Sequence, residues 1–126
     1  MKPTLYHYTC DHSHAQIDGE LLSALAQHPH EDRFMLSGPH QLVWMTDLAH
    51  PNRDALGLTS HILACDRTVH RYRVTDPSKV VPWVKVRRAY RWAEELESAD
   101  GARPRHWWVS GVAVPVVYDP IRAVVR

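Results

Sequence analysis

Cysteine and glycine are both scarce in this sequence of 126 residues. The two cysteines, Cys10 and Cys65, are too few for a disulfide framework, and each is expected to be a plain thiol. Five glycines leave little material for a phosphate-binding loop, and no Walker loop, dinucleotide fingerprint or Gly-x-Ser-x-Gly elbow is present. We therefore expect any ligand to be bound by other side chains.

Long apolar runs are also missing. No run is long enough to span a bilayer, and the opening Met1-Lys2-Pro3-Thr4 is not followed by the apolar stretch of a signal peptide. The sequence therefore predicts a cytoplasmic protein with no membrane partner. Repeats, low-complexity tracts and long linkers are equally absent, so we expect a single domain over residues 1–126.

Neither the net charge nor the histidine content indicates a particular ligand. The formal net charge of +1 does not indicate nucleic-acid binding by itself. The ten histidines stand in no Cys-x-x-Cys or His-Glu-x-x-His pattern, so we predict no metal site.

Arginines and aromatic residues alternate late in the chain, and we call them the arginine–aromatic group. Such a mixture can stack on bases and contact phosphates, which keeps a nucleic-acid-binding domain open. The simpler interpretation is that the tryptophans fill the core and the arginines are solvated. The group consists of Arg87, Arg88, Tyr90, Arg91, Trp92, Arg103, Arg105, Trp107 and Trp108.

Hydrophobic periodicity predicts short strands and a few helices. The predicted helix 86–99 carries Arg91 and Glu95 four residues apart, and we expect them to form a surface ion pair. Regular strand–helix–strand alternation is absent, which indicates an α+β fold with a largely antiparallel sheet. Predicted strands are 5–9, 41–46, 62–65, 69–74, 80–83, 106–115 and 121–125, and predicted helices are 12–27, 54–58 and 86–99.

Several short segments together resemble ADP-ribosyltransferase-like proteins, a family that includes the DarT-type DNA-targeting toxins and the RNA 2′-phosphotransferases. The resemblance implies a split, mostly antiparallel sheet with peripheral helices. It also implies NAD as the bound nucleotide and a protein or nucleic-acid acceptor. The segments are Tyr6-His7-Tyr8-Thr9, Ile17-Asp18-Gly19-x-Leu21-Leu22, Val43-Trp44-Met45-Thr46 with a short helix at 53–58, His106-Trp107-Trp108-Val109, 112–115 and 121–124.

The resemblance implies roles for residues on two strands. His7 matches the position that hydrogen-bonds the adenosine ribose of NAD, and the backbone of Tyr8 matches the contact to the nicotinamide carboxamide. Thr9 takes the place of a small hydroxyl residue in the same pocket. Trp44 and Thr46 lie on the neighbouring strand at the pocket wall, and Thr46 joins His7 among the catalytic candidates.

Two further residues, Tyr72 and Arg73, complete the predicted NAD-binding set, and His106 completes the catalytic one. Many family members carry a glutamate where this sequence has His106, so a catalytically inactive nucleotide- or partner-binding module is an alternative. The RNA 2′-phosphotransferases work with basic residues, and His7, Arg73 and His106 fit that pattern. Purely structural roles stay open for His7 as a buried hydrogen-bonding residue, and core packing is the simpler role for Thr46 and Tyr72.

Overall fold

The computed structural model describes residues 2–9, 21–22, 42–50, 70–98 and 101–121. These residues form a sheet of seven short strands in the order β2-β7-β4-β1-β3-β6-β5, and every pairing is antiparallel. The helices are short, so the predicted α+β class with an antiparallel sheet is confirmed. The strands are β1 Tyr6–Thr9, β2 Leu21–Leu22, β3 Val43–Thr46, β4 His70–Val74, β5 Val81–Pro82, β6 Trp107–Ser110 and β7 Val114–Tyr118, and the helices are α1 Trp83–Val86 and α2 Ala93–Glu97.

The connection from β6 to β7 requires the sheet to curl. Only residues 111–113 link the two strands, yet β3, β1 and β4 lie between them in the sheet. Neighbouring strands are about 4.8 Å apart, which would separate β6 from β7 by roughly 19 Å in a flat sheet. The chain from Ser110 to Val114 spans at most about 14 Å. The sheet is therefore strongly curved, and its two halves approach one another.

The sheet is weakest between β1 and β3. Their register contains one residue pair, Tyr6 opposite Thr46, and we call this point the sheet junction. By contrast, β1 pairs with β4 over residues 6–9 and β3 pairs with β6 over residues 43–46. The junction thus joins one half, β2-β7-β4-β1, to the other half, β3-β6-β5.

Two hydrophobic cores lie on different sides of the sheet. Alternation along β3 directs Val43 and Met45 into one core and Trp44 into the other. The main core consists of Leu5, Leu22, Val43, Met45, Tyr72, Val74, Val80, Val114 and Val116. The aromatic core is built around Trp44, Trp83, Tyr90, Trp92 and Trp107.

The predicted helix over residues 12–27 is wrong at Leu21 and Leu22. These residues form β2, which pairs with Pro115 and Val114 of β7. Leu22 is completely buried in the main core and Leu21 is about half exposed, because consecutive side chains of a strand point to opposite sides of the sheet. The rest of that prediction, the predicted helix 54–58, the strand 62–65 and all but residue 121 of the strand 121–125 lie outside the described residues.

The predicted continuous helix 86–99 is also wrong. The chain runs from α1 through a 3-10 turn, Arg87–Ala89, to an extended Tyr90 before α2 begins. Trp83 stacks on both Tyr90, with ring centroids 5.7 Å apart, and Trp92, at 5.4 Å. In one helix Trp92 would point about 180° away from Trp83, because nine residues make two and a half turns. The break allows both rings to meet Trp83.

Other predicted elements in the described residues need smaller corrections. The predicted strand 80–83 ends at Pro82, because Trp83 begins α1. The predicted strand 106–115 is two strands, and His106 lies in a 3-10 turn, Pro104–His106, before β6. The ion pair that the structure shows near α2 joins Arg87 to Glu97 at 2.7 Å. Within these residues, no helix is long and apolar enough to cross a membrane.

Candidate functional site

His7 lies at the sheet junction and bridges the two halves of the sheet. It is 7% exposed, and its Nδ1 is 2.7 Å from the carbonyl oxygen of Trp44 on β3. A carbonyl oxygen only accepts hydrogen bonds, so Nδ1 carries the proton, and Nε2 is the acceptor nitrogen of the neutral ring. This side-chain bond connects β1 to β3 one residue beyond the backbone pairing of Tyr6 with Thr46.

Thr9 lies two residues after His7, on the same side of β1. It is completely buried, and its Oγ1 has no hydrogen-bond partner among the residues described. An unsatisfied buried hydroxyl costs about 1–3 kcal/mol, so such groups are rare and require an explanation. A bound molecule with a hydroxyl or carboxamide group would satisfy it.

Tyr8 and Arg71 fix the segment that follows β3. The hydroxyl of Tyr8 donates to the carbonyl of Leu48 at 2.7 Å, and a guanidinium nitrogen of Arg71 donates to the carbonyl of Ala49. Burial raises the pKa of Tyr8 to about 12, although the nearby Arg71 lowers it. The hydroxyl therefore stays protonated at neutral pH and remains a donor. The predicted backbone contact of Tyr8 with nicotinamide stays a prediction.

Asp47 and His106 form the second part of the site, which we call the Asp47–His106 pair. Oδ1 of Asp47 is 2.6 Å from Nδ1 of His106, and Oδ2 accepts a hydrogen bond from Nε1 of Trp108 at 3.3 Å. The backbone N–H of Asp47 also donates to the His106 carbonyl at 3.3 Å. Both side chains are about one quarter exposed, at 24% and 25%, so solvent and ligands can reach them.

The strand register explains why these two residues meet. Thr46 pairs with Trp107, so the residue after β3 and the residue before β6 come together. Thr46 is 2% exposed, and its Oγ1 accepts a hydrogen bond from the N–H of Leu48 at 3.2 Å, which turns the chain after β3. The catalytic role predicted for Thr46 stays a prediction, and the bond observed for its hydroxyl is a local turn contact.

Sequence reasoning missed Asp47. Asp47 directly follows the predicted strand 41–46 and is not one of the candidate residues that the resemblance implies. The available signal was an acidic residue directly after one predicted strand and His106 at the start of another. These two residues are predicted to meet only if the two strands pair in antiparallel fashion, and that pairing joins Thr46 to Trp107, 61 residues later in the sequence.

The remaining predicted binding residues divide between the two sides of the sheet. Tyr72 is paired with His7 in the register and is 4% exposed in the main core, where burial raises its pKa. Arg73 faces the other side, 47% exposed, with Nε 3.7 Å from the Asp119 carboxylate. Consecutive strand residues point to opposite sides, so Tyr72 and Arg73 do not line one surface.

Trp44 contributes its carbonyl rather than its ring to His7. Its ring lies in the aromatic core, with centroids 5.0 Å from Trp83 and 5.9 Å from Trp107. The structure thus brings His7 together with Thr9, Tyr72 and the backbone of β3. It brings His106 together with Asp47.

The arginine–aromatic group is mostly a packed structure. Trp92 and Tyr90 pack against each other in the aromatic core with ring centroids 4.7 Å apart, Trp107 is 4% exposed, and Arg87 is bound to Glu97. These rings contact one another, which agrees with the core-packing interpretation. In the part of the chain that the structure describes, no group of three or more metal-binding side chains occurs.

Neither protein-family models nor curated proteins nor solved structures match this chain. The family resemblance of segments 6–9, 43–46 and 106–109 stays a prediction from short motifs. The structural basis for a function is the geometry of His7, Thr9 and the Asp47–His106 pair.

Proposed function

We propose that this protein binds NAD at the sheet junction and transfers ADP-ribose from it to a macromolecular acceptor. The observation that carries the proposal is the position of His7, buried where the sheet divides, with Nδ1 held by the Trp44 carbonyl. A neutral imidazole held in this way offers Nε2 as an acceptor for a ribose hydroxyl. Little entropy is lost on binding, because the ring is already oriented by a strand.

The buried hydroxyl of Thr9, which has no partner among the residues that the structure describes, supports a nucleotide on this side of β1. Oγ1 can donate and accept, which suits a ribose hydroxyl or the carboxamide of nicotinamide. The group is completely buried and lacks a partner among the described residues. When bound, NAD supplies a labile bond between ribose and nicotinamide, while His7 and Thr9 bind and orient it.

The divided sheet supports the same proposal. The resemblance of segments 6–9 and 43–46 implies a split antiparallel sheet with the nucleotide at the first strand. The observed sheet is antiparallel, curved by the short link between β6 and β7, and joined at Tyr6–Thr46 by one pair. His7 follows Tyr6 directly, so the predicted ribose-binding residue lies beside that division.

A thermal-shift experiment with NAD and two substitutions at His7 tests the proposal. A ligand at 100 times its Kd stabilises a protein by about 2.7 kcal/mol, which raises Tm by several degrees. His7→Asn keeps an amide donor near the Nδ1 position and removes Nε2. We expect it to lower the Tm of the NAD-free protein by only a few degrees, since about 1 kcal/mol is lost, and to lose the NAD-induced rise. His50→Asn, a variant of an exposed histidine four residues after β3, is the matched control and should keep the rise.

Two results would count against the proposal in different ways. If His7→Asn shows the full NAD-induced rise, His7 has only a structural role and does not bind ribose. If NAD raises Tm but is never consumed with protein, DNA or RNA acceptors, the chain is a nucleotide-binding module and not a transferase.

A further inference from the structure

The Asp47–His106 pair has the geometry of an oriented base. A carboxylate only accepts hydrogen bonds, so the 2.6 Å contact with Oδ1 places the proton on Nδ1 of His106. In the neutral ring Nε2 is then an acceptor. Its neighbour is Nε of Arg105 at 3.4 Å, a long contact from an exposed side chain. With His106 one quarter exposed, a substrate can replace that contact.

Asp47 is itself held in place from several directions. Nε1 of Trp108 donates to its second carboxylate oxygen, and its backbone N–H donates to the His106 carbonyl. The next residue, Leu48, is fixed by Oγ1 of Thr46 and by the hydroxyl of Tyr8. A partner whose own position is fixed by other groups sets the tautomer and orientation of an imidazole, as required of a catalytic base.

The pair and the proposed nucleotide site are both anchored at the C-terminal part of β3. His7 follows Tyr6 on β1, and Asp47 follows Thr46 on β3, so both are adjacent in sequence to the residues of the sheet junction. The two histidines reach β3 at points three residues apart, His7 at Trp44 and His106 at Asp47. A molecule bound at the junction by His7 would therefore lie near His106.

We propose that His106 is the catalytic base of the transfer, that Asp47 is its positioning residue, and that the acceptor attacks through a hydroxyl group. This inference rests on the proposed function and specifies the acceptor chemistry. It also gives a catalytic role to His106, which occupies the position where the resemblance implies a glutamate.

The chemistry balances without a further reactant. Nε2 of His106 takes the proton of the acceptor hydroxyl while the oxygen of that hydroxyl bonds to C1′ of the ribose. The bond from C1′ to the nicotinamide nitrogen breaks, its electron pair stays on that nitrogen, and nicotinamide leaves as a neutral molecule. Asp47 stabilises the imidazolium that forms, as a carboxylate does for an oriented histidine base. The proton then passes to solvent.

The base specifies the class of acceptor. A carboxylate acceptor is already an anion at neutral pH and needs no proton removed, so an oriented imidazole would not help it. A hydroxyl group keeps its proton at neutral pH, and a base positioned on it accelerates attack by about 10²–10⁴-fold. The pair therefore favours a hydroxyl-bearing acceptor.

Small nucleophiles test this inference without knowledge of the natural acceptor. The full chain is incubated with NAD in water, in water with methanol, and in water with sodium azide, and the ADP-ribosyl products are measured by mass spectrometry. His106→Asn keeps an amide donor towards Asp47 but has no Nε2. We expect it to lose about 10²-fold or more of the hydrolysis and methanol transfer. Azide carries no proton, so transfer to azide should be retained.

A second measurement needs no activity. The ¹⁵N NMR shifts of the imidazole in the NAD-free protein report which nitrogen carries the proton. We expect Nδ1–H in the wild type and a loss of that preference in Asp47→Asn. A wild-type ring protonated on Nε2 would overturn the inference.

The outcomes separate this inference from the proposed function. If the wild type consumes NAD and His106→Asn does so equally, or loses azide transfer equally, His106 is no base and the proposed function still stands. If the wild type neither binds nor consumes NAD, both are wrong. Loss of hydroxyl transfer alone, with the NAD-induced rise in Tm retained, supports both.

Discussion

Nδ1 of His7 lies 2.7 Å from the carbonyl oxygen of Trp44, across the gap where the pairing of β1 with β3 has already stopped. The bond therefore replaces a backbone contact between the two halves of the sheet. Its donor is a side chain that is 7% exposed, so water competes poorly for it. The same geometry that makes His7 a structural bridge also orients it for a ligand.

The structural part of this role predicts a stability difference between two variants. His7→Ala removes the bridge and leaves a cavity, and we expect it to lower the free energy of unfolding by about 2–4 kcal/mol. His7→Asn keeps a donor for the Trp44 carbonyl and should lose about 1 kcal/mol. Urea unfolding followed by tryptophan fluorescence measures both. Equal losses in the two variants would show that the bond to Trp44 contributes nothing.

Tyr8 predicts a loss of stability at alkaline pH. Burial raises its pKa from 10.0 to about 12 in the folded protein, so the folded state keeps the proton that the unfolded state releases first. The stabilisation is fully present below pH 10 and is lost as the pH rises towards 12, by about 2–3 kcal/mol. Urea unfolding at several pH values should show this decline.

Tyr8→Phe is the matched control for this pH dependence. It removes the hydroxyl that donates to Leu48 and should cost about 1–2 kcal/mol at pH 8. Between pH 10 and 12 it should lose less stability than the wild type, because one titrating group is gone. Burial also raises the pKa of Tyr72, which is present in both proteins and cancels in the difference. Parallel curves for the two proteins would contradict the assignment.

Local patterns predicted most of the described strands, but not the long-range contacts that build the site. Alternation and β-branched or aromatic residues placed β1, β3 and β4 correctly within a residue or two. The partnership of Asp47 with His106 depends on the pairing of strands far apart in sequence, which no local pattern contains. The break before α2 arises from rings that stack on Trp83, a tertiary effect that overrides helical spacing.

The stacking around Trp83 predicts which substitutions the aromatic core tolerates. Trp83 is completely buried, and its Nε1 has no partner within the described part of the chain. Trp83→Ala should destabilise by about 3–5 kcal/mol, because it empties the space that the indole fills beside Tyr90 and Trp92. Trp83→Phe retains a ring and removes a buried donor that has no partner among the described residues, so we expect a loss of less than half that. Thermal unfolding by near-UV circular dichroism measures both, and equal losses would refute the stacking explanation.

Asp47 makes two charge-assisted contacts that one amide cannot reproduce. In Asp47→Asn the single amide oxygen can accept from His106 or from Trp108, and the amide N–H group then faces the other donor. We expect a loss of about 1–3 kcal/mol, the cost of a mismatched polar contact. Trp108→Phe alone removes one donor and should cost about 1 kcal/mol.

The double variant Asp47→Asn with Trp108→Phe then decides whether the carboxylate is shared. With the indole N–H absent, the amide oxygen is left to His106 and the mismatch disappears. We therefore expect the double variant to be more stable than the sum of the single losses, with a coupling of about 0.5–3 kcal/mol. Urea unfolding of all four proteins gives this coupling directly. Strict additivity would mean that Trp108 and Asp47 act independently, and that the orientation of His106 depends on the Asp47 contact alone.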